Sequence, residues 1–357
     1  MSRNTIASIS LSAIEHNLKI VSGLAPRSKI AAVVKADGYG HGITRVASAL
    51  RSSDLLAVAT SGEAGRLRAD GWSGRLLMLE GFASVEEFDL ALSLDTEMVI
   101  HHRAQLEMIK QRGLGNCSRV WLKLDTGMHR LGFPLREAAA VFSELTSLAA
   151  KGSVVLMTHF ACADEPANPM TDTQMQHFDA VTRGLEAEQS LANSAGVLNF
   201  PRSHRDIVRP GILLYGISPD SSRSAAEIGL KPAMTLSTEL VAINTCSKGE
   251  TVGYAAGYQC PEDMRVGVAA IGYGDGYPRH LRNGTPVLVN GRKAGLAGRV
   301  SMDLITLDLR GHEDAVIGDP VVLWGEGLPV ETVSPWAGSV PYELICGVTG
   351  RVPRTRV

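Results

Sequence analysis

One short stretch, residues 31–42, carries an apolar run directly into a lysine and then into a glycine-rich loop. The run 31–34 is typical of a buried strand, and Lys35 follows where such a strand ends. An amine held against an apolar wall is shifted towards its neutral, nucleophilic form. Lys35 could therefore form a Schiff base with an aldehyde cofactor. The alternative is a lysine that reaches from a strand end into solvent.

A second group of chemically capable residues follows a later apolar run. His159, Cys162 and Asp164 have the spacing H-x-x-C-x-D. Zinc sites need three or four ligands at suitable spacing, and no completing pair is evident in the sequence. The adjacent His101 and His102 are more typical of an ordinary surface. We therefore predict no metal site.

The elements that must position Lys35 follow from a regular alternation over the first two thirds of the chain. Short apolar runs lie at residues 29–34, 55–60, 75–80, 97–100, 119–125 and 153–160, with amphipathic stretches between them. Such runs are typical of strands buried on both faces, and their alternation with helices indicates a parallel sheet. The number of units favours an α/β fold of the (β/α)8 TIM-type barrel, with a doubly wound sheet as the alternative. A barrel places reactive groups at the carboxyl ends of its strands, which is the position of Lys35.

Near residue 230 the pattern changes to that of an antiparallel β domain. Residues 234–245 alternate with a period of two, and Asn290-Gly291 predicts a two-residue hairpin turn. We therefore predict two domains. The barrel should span residues 1–229, and a mainly antiparallel β domain should span residues 230–357.

Composition narrows the class of protein. The chain has 357 residues and a net charge of −2, a balance that indicates no basic face for nucleic acid or anionic membrane. Five scattered cysteines form no C-x-x-C pair, which fits a reducing compartment. No run approaches the roughly 20 apolar residues of a membrane span, and the first residues lack the apolar core of a signal peptide. We expect a cytoplasmic protein.

Several segments resemble the alanine racemase family and follow one another in that family's order. They are VVKADGYGHG, KLDTGMHRLGF, MTHFACADE, LANSA, VRPGILLYG, VGYAAGY, IGYGDGYPRH, GRVSMD, PYELIC and RVPR, and they extend over nearly the whole chain. The resemblance implies a barrel that binds pyridoxal 5'-phosphate (PLP), a β domain, and a homodimer with shared active sites. It implies an isomerase that interconverts L-alanine and D-alanine, to supply D-alanine for peptidoglycan or to degrade it.

The resemblance assigns two catalytic bases. Lys35 would bond the cofactor aldehyde and serve one face of the substrate, and Tyr254 of the other subunit would serve the opposite face. A free tyrosine has a pKa of about 10, so Tyr254 must be shifted or coupled to work near neutral pH. Without the resemblance, the sequence would favour the other interpretation of Tyr254, a strand tyrosine stacked in the β domain.

The resemblance also implies which residues hold PLP. Arg209 would face the pyridine nitrogen, where an always-charged guanidinium would keep that nitrogen unprotonated and discourage transamination. His159 would lie beside the cofactor ring and bond to Arg209. Hydroxyls and backbone N–H groups would bind the phosphate, and these belong to Tyr39, Ser194, Gly211, Ile212 and Tyr342.

Substrate contacts are implied in the same way. Arg130 would lie near the cofactor's phenolic oxygen and the substrate carboxylate, and Lys123 falls where many family members carry a carbamylated lysine that orients this arginine. Met302, beside Asp303, would complete the pocket from the partner subunit. The residues that would narrow the entrance are Asp164, Tyr273, Arg279 and Arg299.

Two other functions share parts of this pattern. A decarboxylase of the same architecture would use a cysteine from the second domain, such as Cys346 or Cys260. A carrier of the cofactor would need neither a β domain nor an opposing tyrosine. The positions of Tyr254 and Arg209 favour the racemase. One departure from the family is Gly38, which stands where alanine is more usual and predicts a looser loop.

Overall fold

The fold was obtained as a computed structural model that describes residues 4–150 and 153–357. Residues 1–3 and 151–152, which fall within the predicted barrel domain, lie outside the described residues. The chain forms a parallel β barrel with helices around it, together with a separate antiparallel β domain. The predicted fold class is confirmed.

The barrel consists of eight short parallel strands in the described residues, whose spatial order follows the chain. They are Lys29–Val33, Leu55–Val58, Leu76–Met78, Thr96–Ile100, Val120–Asp125, Val154–Met157, Glu188–Ser190 and Ile207–Val208. The last strand pairs with the first, and a bridge between Asn193 and Arg209 links the last two. Leu55–Val58 is buried at every position, because helices cover one face and the barrel interior the other.

Helices lie around these strands, and several of them begin after a residue whose side chain caps the helix. Their bounds are Leu11–Leu24, Ile43–Ala49, Ser61–Ala69, Val85–Ser93, Arg103–Arg112, Ala138–Leu148, Met170–Thr182 and Ser194–Asn199, with shorter helices at Lys35–Tyr39, Ala225–Ile228, Val330–Val333 and Pro341–Gly347. Ser10 caps the first helix by accepting from the Ala13 N–H. Thr60 and Glu63 form a capping box at the start of Ser61–Ala69.

The second domain is built on a mainly antiparallel sheet. Its strands are Ile6–Ile9, Met234–Cys246, Met264–Ala269, Pro286–Val289, Arg292–Leu296, Ile305–Asp308, Pro320–Trp324 and Arg354–Arg356, and a small ribbon pairs Thr251–Val252 with Tyr258–Gln259. The hairpin predicted at Asn290-Gly291 is confirmed, since Val289 pairs with Arg292 and both turn residues have positive φ.

The first strand of the chain belongs to this second sheet. Ile6–Ile9 pairs antiparallel with Met234–Cys246 and parallel with Arg354–Arg356 before the chain enters the barrel. A segment near the start of the chain and one near its end therefore pair in the same sheet. Arg354 reaches from this sheet to the Lys35 loop, where its Nε donates to the Gly40 carbonyl at 2.9 Å.

Among the described residues, none of the helices is both long enough and apolar enough to cross a membrane.

Candidate active site

A cavity of about 600 Å³ opens at the carboxyl ends of the barrel strands. The predicted site residues that line it are Lys35, Tyr39, Lys123, Arg130, His159, Ser194, Arg209, Gly211, Ile212 and Tyr342. They come from segments spread over some three hundred positions of the sequence. The barrel brings most of them together because its parallel strands all end on one side, and the helix Pro341–Gly347 of the second domain adds Tyr342.

The loop that carries Lys35 has an unusual backbone. Left-handed φ values between 51° and 64° occur at Ala36, Asp37, Gly38 and Tyr39. This conformation costs about 1–2 kcal/mol at each residue that has a Cβ, so the surroundings must hold it. Glu63 does so, because its Oε1 accepts the Ala36 N–H at 2.7 Å and its Oε2 accepts the Ala59 N–H at 2.8 Å. The loop thereby presents Lys35 and Tyr39 to the same cavity.

Gly38 is closely packed within this loop. A Cβ at Gly38 would lie 2.9 Å from Val46 Cγ2. The neighbouring Tyr39 is buried and stacks on Tyr215, with ring centroids 4.7 Å apart. Gly38 therefore lets the loop pack closely against the following helix. Close packing accounts for glycine at this position, and the expectation of a looser loop did not consider it.

Arg209 is buried at the bottom of the cavity without a carboxylate partner among the described residues. Its Nη1 donates to the Ser190 carbonyl at 2.8 Å and the Ser190 hydroxyl at 2.7 Å, and its Nη2 donates to the Thr158 carbonyl at 2.7 Å. Burial lowers the pKa of Arg209 to about 10, which still leaves it charged at neutral pH. No described residue accepts from Nε, so this donor is available to a ligand.

His159 lies against this guanidinium and is neutral. Its Nδ1 is 3.3 Å from Arg209 Nη2, an arrangement in which Nδ1 accepts and the ring proton resides on Nε2. Burial first, and then the charges of Arg209, Lys123, Arg130 and Lys35, hold the pKa of His159 well below its ordinary value. The imidazole therefore remains uncharged beside four cationic groups.

Lys123 is a buried lysine on the strand Val120–Asp125. Burial, together with the charges of Arg209, Arg130 and Lys35, lowers the pKa of Lys123 to about 8. No ion pair joins Lys123 to a carboxylate among the described residues. A sizeable fraction of its amine is therefore neutral just above neutral pH, the form that reacts with an electrophile such as carbon dioxide.

Hydroxyl and amide groups converge at another part of the cavity. Ser194 Oγ accepts the Gly211 N–H at 2.8 Å, which leaves the serine hydroxyl proton free to donate. A Cβ at Gly211 would clash with the Tyr39 hydroxyl. Only glycine therefore allows that hydroxyl to approach the backbone there. Burial raises the pKa of Tyr39 above its ordinary value, so its phenol stays a donor.

The residues predicted to act from the partner subunit lie elsewhere in this chain. Tyr254 is 68% exposed and Met302 is 53% exposed, and neither lines the Lys35 cavity. The three loops that carry Tyr254, Tyr273 and Met302 pack together, since the Tyr273 N–H donates to the Ser301 carbonyl and Gly253 lies against the Arg299 backbone. We call this surface the exposed β-domain face, defined by Tyr254, Tyr273, Arg299 and Met302.

The remaining predicted residues are exposed. Arg279 lies on the β domain, and Asp164 lies near Tyr342 at the rim of the cavity. In the part of the chain that the structure describes, no three His, Cys, Asp or Glu side chains are placed to hold a metal ion together. His159, Cys162 and Asp164 therefore do not form such a group.

Sequence reasoning missed two residues near Lys35. Glu63 supports the loop, and the T-x-x-E spacing of a capping box is the signal that could have drawn attention to it. Cys346 lines the cavity, although we considered it only for a rival function.

The charges of the cavity fit an anionic aldehyde cofactor. Lys35, Lys123, Arg130 and Arg209 all line it, and Glu80 is the one carboxylate among its described lining residues. Its volume lies within the range of ligand pockets, and Lys35 lies in its wall two residues after the strand Lys29–Val33. The fold and the site together fit a barrel enzyme with a cation-rich pocket for an anionic cofactor.

Comparisons with known proteins identify the family. The alanine racemase N-terminal domain model matches residues 9–219, and the alanine racemase C-terminal domain model matches residues 233–356. An alanine racemase of Nitrosococcus oceani is 51% identical over 351 residues, which are 98% of each chain. The chain belongs to the alanine racemase family, as the sequence resemblance predicted.

Solved structures agree with this assignment. The biosynthetic alanine racemase of Pseudomonas aeruginosa superposes with a TM-score of 0.95 at 44% identity, and both chains are covered completely. An alanine racemase of Bartonella henselae, described with covalently bound pyridoxal phosphate, superposes with a TM-score of 0.89 at 27% identity over 99% of each chain. The family is PLP-dependent, which confirms the predicted cofactor.

Proposed function

We propose that this chain is a PLP-dependent alanine racemase with two bases, Lys35 and Tyr254 of the partner subunit. The observation that supports the proposal most strongly is the convergence of Lys35, His159 and Arg209 in one cation-rich cavity of a chain that belongs to this family.

Several residues of this chain are suited to hold the cofactor. When bound, PLP withdraws electrons from the substrate Cα and makes its proton acidic. Lys35 would supply the amine that bonds the aldehyde, and, once the substrate amine has displaced it, its free amine would accept or return the α-proton on one face. The proposed phosphate donors are the Tyr39, Ser194 and Tyr342 hydroxyls with the Gly211 and Ile212 N–H groups. The Gly211 N–H now bonds Ser194, so this donor must be shared or released.

Arg209 is proposed to donate from Nε to the pyridine nitrogen. Carbonyl oxygens and the Ser190 hydroxyl hold the guanidinium of Arg209 in place. Among the described residues no carboxylate pairs with it, so none is placed to pass a proton to the pyridine nitrogen. His159 is neutral beside it and has a low pKa, so it does not protonate that nitrogen either. Arg209 would thereby keep that nitrogen unprotonated, which would favour return of the proton to Cα over transamination.

The second base is proposed to come from a partner subunit. Within one chain the Lys35 cavity contains Tyr39 as a candidate acid, but burial raises its pKa and makes its phenolate a rare species. Tyr254 is an exposed large side chain on the exposed β-domain face, next to the exposed Met302 and Leu304. A homodimer that buries this face against a second barrel would bring Tyr254 and Met302 to the partner's cavity.

The substrate is proposed to be alanine. Arg130 would bind its carboxylate, and Lys123, once carbamylated, would turn from a repelling cation into an anion that orients Arg130. The exposed residues Asp164, Tyr273, Arg279 and Arg299 would restrict the entrance. A role in supplying or degrading D-alanine, and a cytoplasmic location, stay predictions.

The experiment is racemisation of L-alanine by the purified protein, followed by chiral chromatography. Tyr254→Phe should lower kcat by about 10²–10⁴-fold, because one of two acid–base groups is lost. Tyr258→Phe is the matched control, since it removes a hydroxyl from the same domain that bonds only Asp308 and Met264. Borohydride treatment of the holoenzyme should place the pyridoxyl label on Lys35.

Mixing two inactive variants tests the shared site. Lys35→Ala and Tyr254→Phe chains, unfolded and refolded together, should recover about a quarter of the wild-type rate, because half of the dimers are mixed and each holds one intact site. No recovery with intact dimers would refute the contribution of Tyr254 across the interface. Carbon dioxide release from diamino acids, without racemisation of alanine, would instead identify a decarboxylase.

A further inference from the structure

A second charged pocket of about 410 Å³ lies behind the Lys35 loop, at the junction of the barrel and the β domain. Its walls include the guanidinium groups of Arg45, Arg66 and Arg354, while Asp37 is the one carboxylate among its described lining residues. Three cations against one anion leave a positive excess in a concave site.

The three arginines differ in their ion-pair and hydrogen-bond partners. Arg66 forms an ion pair with Asp37, in which Nη1 lies 3.2 Å from Oδ1. Asp37 is the one carboxylate among the described residues that line this pocket, and it is therefore already paired. Arg354 donates only to backbone carbonyls, those of Gly40, Val348, Thr349 and Val352.

Arg45 is the least committed of the three. No carboxylate or carbonyl among the described residues accepts from its guanidinium. Burial, with the neighbouring charge of Arg45, lowers the pKa of Arg354 against the opposing effect of Asp37. Arg45 and Arg354 line the same pocket, and an anion bound between them would reduce the repulsion between their positive charges.

We propose that this pocket binds a small multivalent oxyanion, of the phosphate or polycarboxylate type, between Arg45 and Arg354. Guanidinium groups bind such oxyanions through paired, charge-assisted hydrogen bonds. The neighbouring thiol of Cys346 adds no competing charge, because burial raises its pKa.

Binding at this pocket is linked to the active-site loop. Ala36 and Cys346 line both this pocket and the Lys35 cavity, so the two spaces share a wall. Arg354 holds the Gly40 carbonyl at the end of the left-handed turn. An anion that orders Arg354 therefore also supports the turn that presents Lys35, and the two events should be coupled reciprocally.

The test uses PLP-loaded protein, so that the phosphate donors of the Lys35 cavity are occupied. Calorimetric titration with inorganic phosphate, and separately with citrate, is done at constant ionic strength set with chloride. Saturable binding of either anion is expected, and the tighter of the two identifies the oxyanion type. Arg45→Gln should weaken that binding by about tenfold or more.

Arg51→Gln is the matched control. It removes the same charge six positions along the chain, at an exposed residue that does not line this pocket. It should leave the affinity unchanged. Equal weakening by both variants, or no saturable binding of either anion to the holoenzyme, would overturn the proposal.

A chemical readout locates the anion. Iodoacetamide should alkylate Cys346 more slowly when the anion is bound, and Arg45→Gln should remove that protection, as measured by peptide mass spectrometry. Unchanged alkylation at saturating anion would show that the anion binds elsewhere, which also overturns the proposal. The result does not depend on racemase activity, so it remains distinct from the Tyr254→Phe experiment.

Discussion

Gly38→Ala tests whether the Lys35 loop is held in the left-handed turn described above. Gly38 has a φ of +64°, and a new Cβ would lie 2.9 Å from Val46 Cγ2. The conformation alone costs alanine about 1–2 kcal/mol, and moving a buried valine in a packed core adds about 1–3 kcal/mol. Alanine also restricts the unfolded chain more than glycine does, which offsets about 0.4–1 kcal/mol of this loss of stability. The expected net loss of stability is about 1–5 kcal/mol.

The assay is thermal unfolding together with PLP titration by absorbance. Gly38→Ala should lower Tm by several degrees and weaken PLP binding, because Tyr39 follows directly in the chain. Gly23→Ala is the matched control, since Gly23 is exposed in the helix Leu11–Leu24 and a Cβ added there would have nothing within 4 Å. That substitution should stabilise the protein by about 0.5–1 kcal/mol, so the two glycines should give opposite signs.

A double variant separates the two causes. Val46→Ala removes the closest contact, that with Cγ2, and leaves the one with Cβ at 3.3 Å. Gly38→Ala should then cost little more than the backbone part, about 1 kcal/mol. If Gly38→Ala lowers the free energy of unfolding equally in the Val46 protein and in the Val46→Ala variant, the contact with Val46 is not responsible for the loss. A gain in stability from Gly38→Ala in the otherwise unchanged protein would refute the left-handed turn itself.

Two further predictions concern the same cavity. Because the pKa of Lys123 is about 8, its neutral fraction should rise from about a tenth at pH 7 to about nine-tenths at pH 9. ¹³C-bicarbonate should therefore give a carbamate resonance that grows over this interval and is missing in Lys123→Arg, and a signal that persists in that variant would exclude Lys123 as its origin. Glu63→Gln should weaken PLP binding by roughly tenfold, since a charged acceptor of the Ala36 N–H is lost. Glu87→Gln, which alters the equivalent cap of another helix, should not change PLP binding, and an equal effect of both variants would contradict a specific role of Glu63.

Sequence predicted the barrel well where strands are long and buried. The run 119–125 became Val120–Asp125, and the run 153–160 contains Val154–Met157. The strands Glu188–Ser190 and Ile207–Val208 were not singled out, because two or three residues are too short to show a period. Ile6–Ile9 was missed as well, since its partner strand lies more than two hundred positions away.

The local geometry of the site was less accessible to sequence reasoning. Lys35 could be placed at a strand end from the pattern alone. The left-handed turn after it could not, because Ala36 and Asp37 rarely adopt positive φ and do so here through contacts with Glu63 and the following helix. Tertiary contacts fix such a conformation, and local preference opposes it.

Burial, and after it the positive charge of the Lys35 cavity, explains why its groups differ in protonation. Burial lowers the pKa of His159, Lys123 and Arg209, and the neighbouring cations lower the pKa of His159 and Lys123 further. His159 is therefore neutral, the pKa of Lys123 is lowered to about 8, and the guanidinium of Arg209 stays charged. Each anion that enters this cavity should reverse the trend by raising the pKa of the remaining cations. Cofactor binding should then make the Lys123 amine less available to carbon dioxide, so carbamylation should proceed faster in protein that has not yet bound PLP.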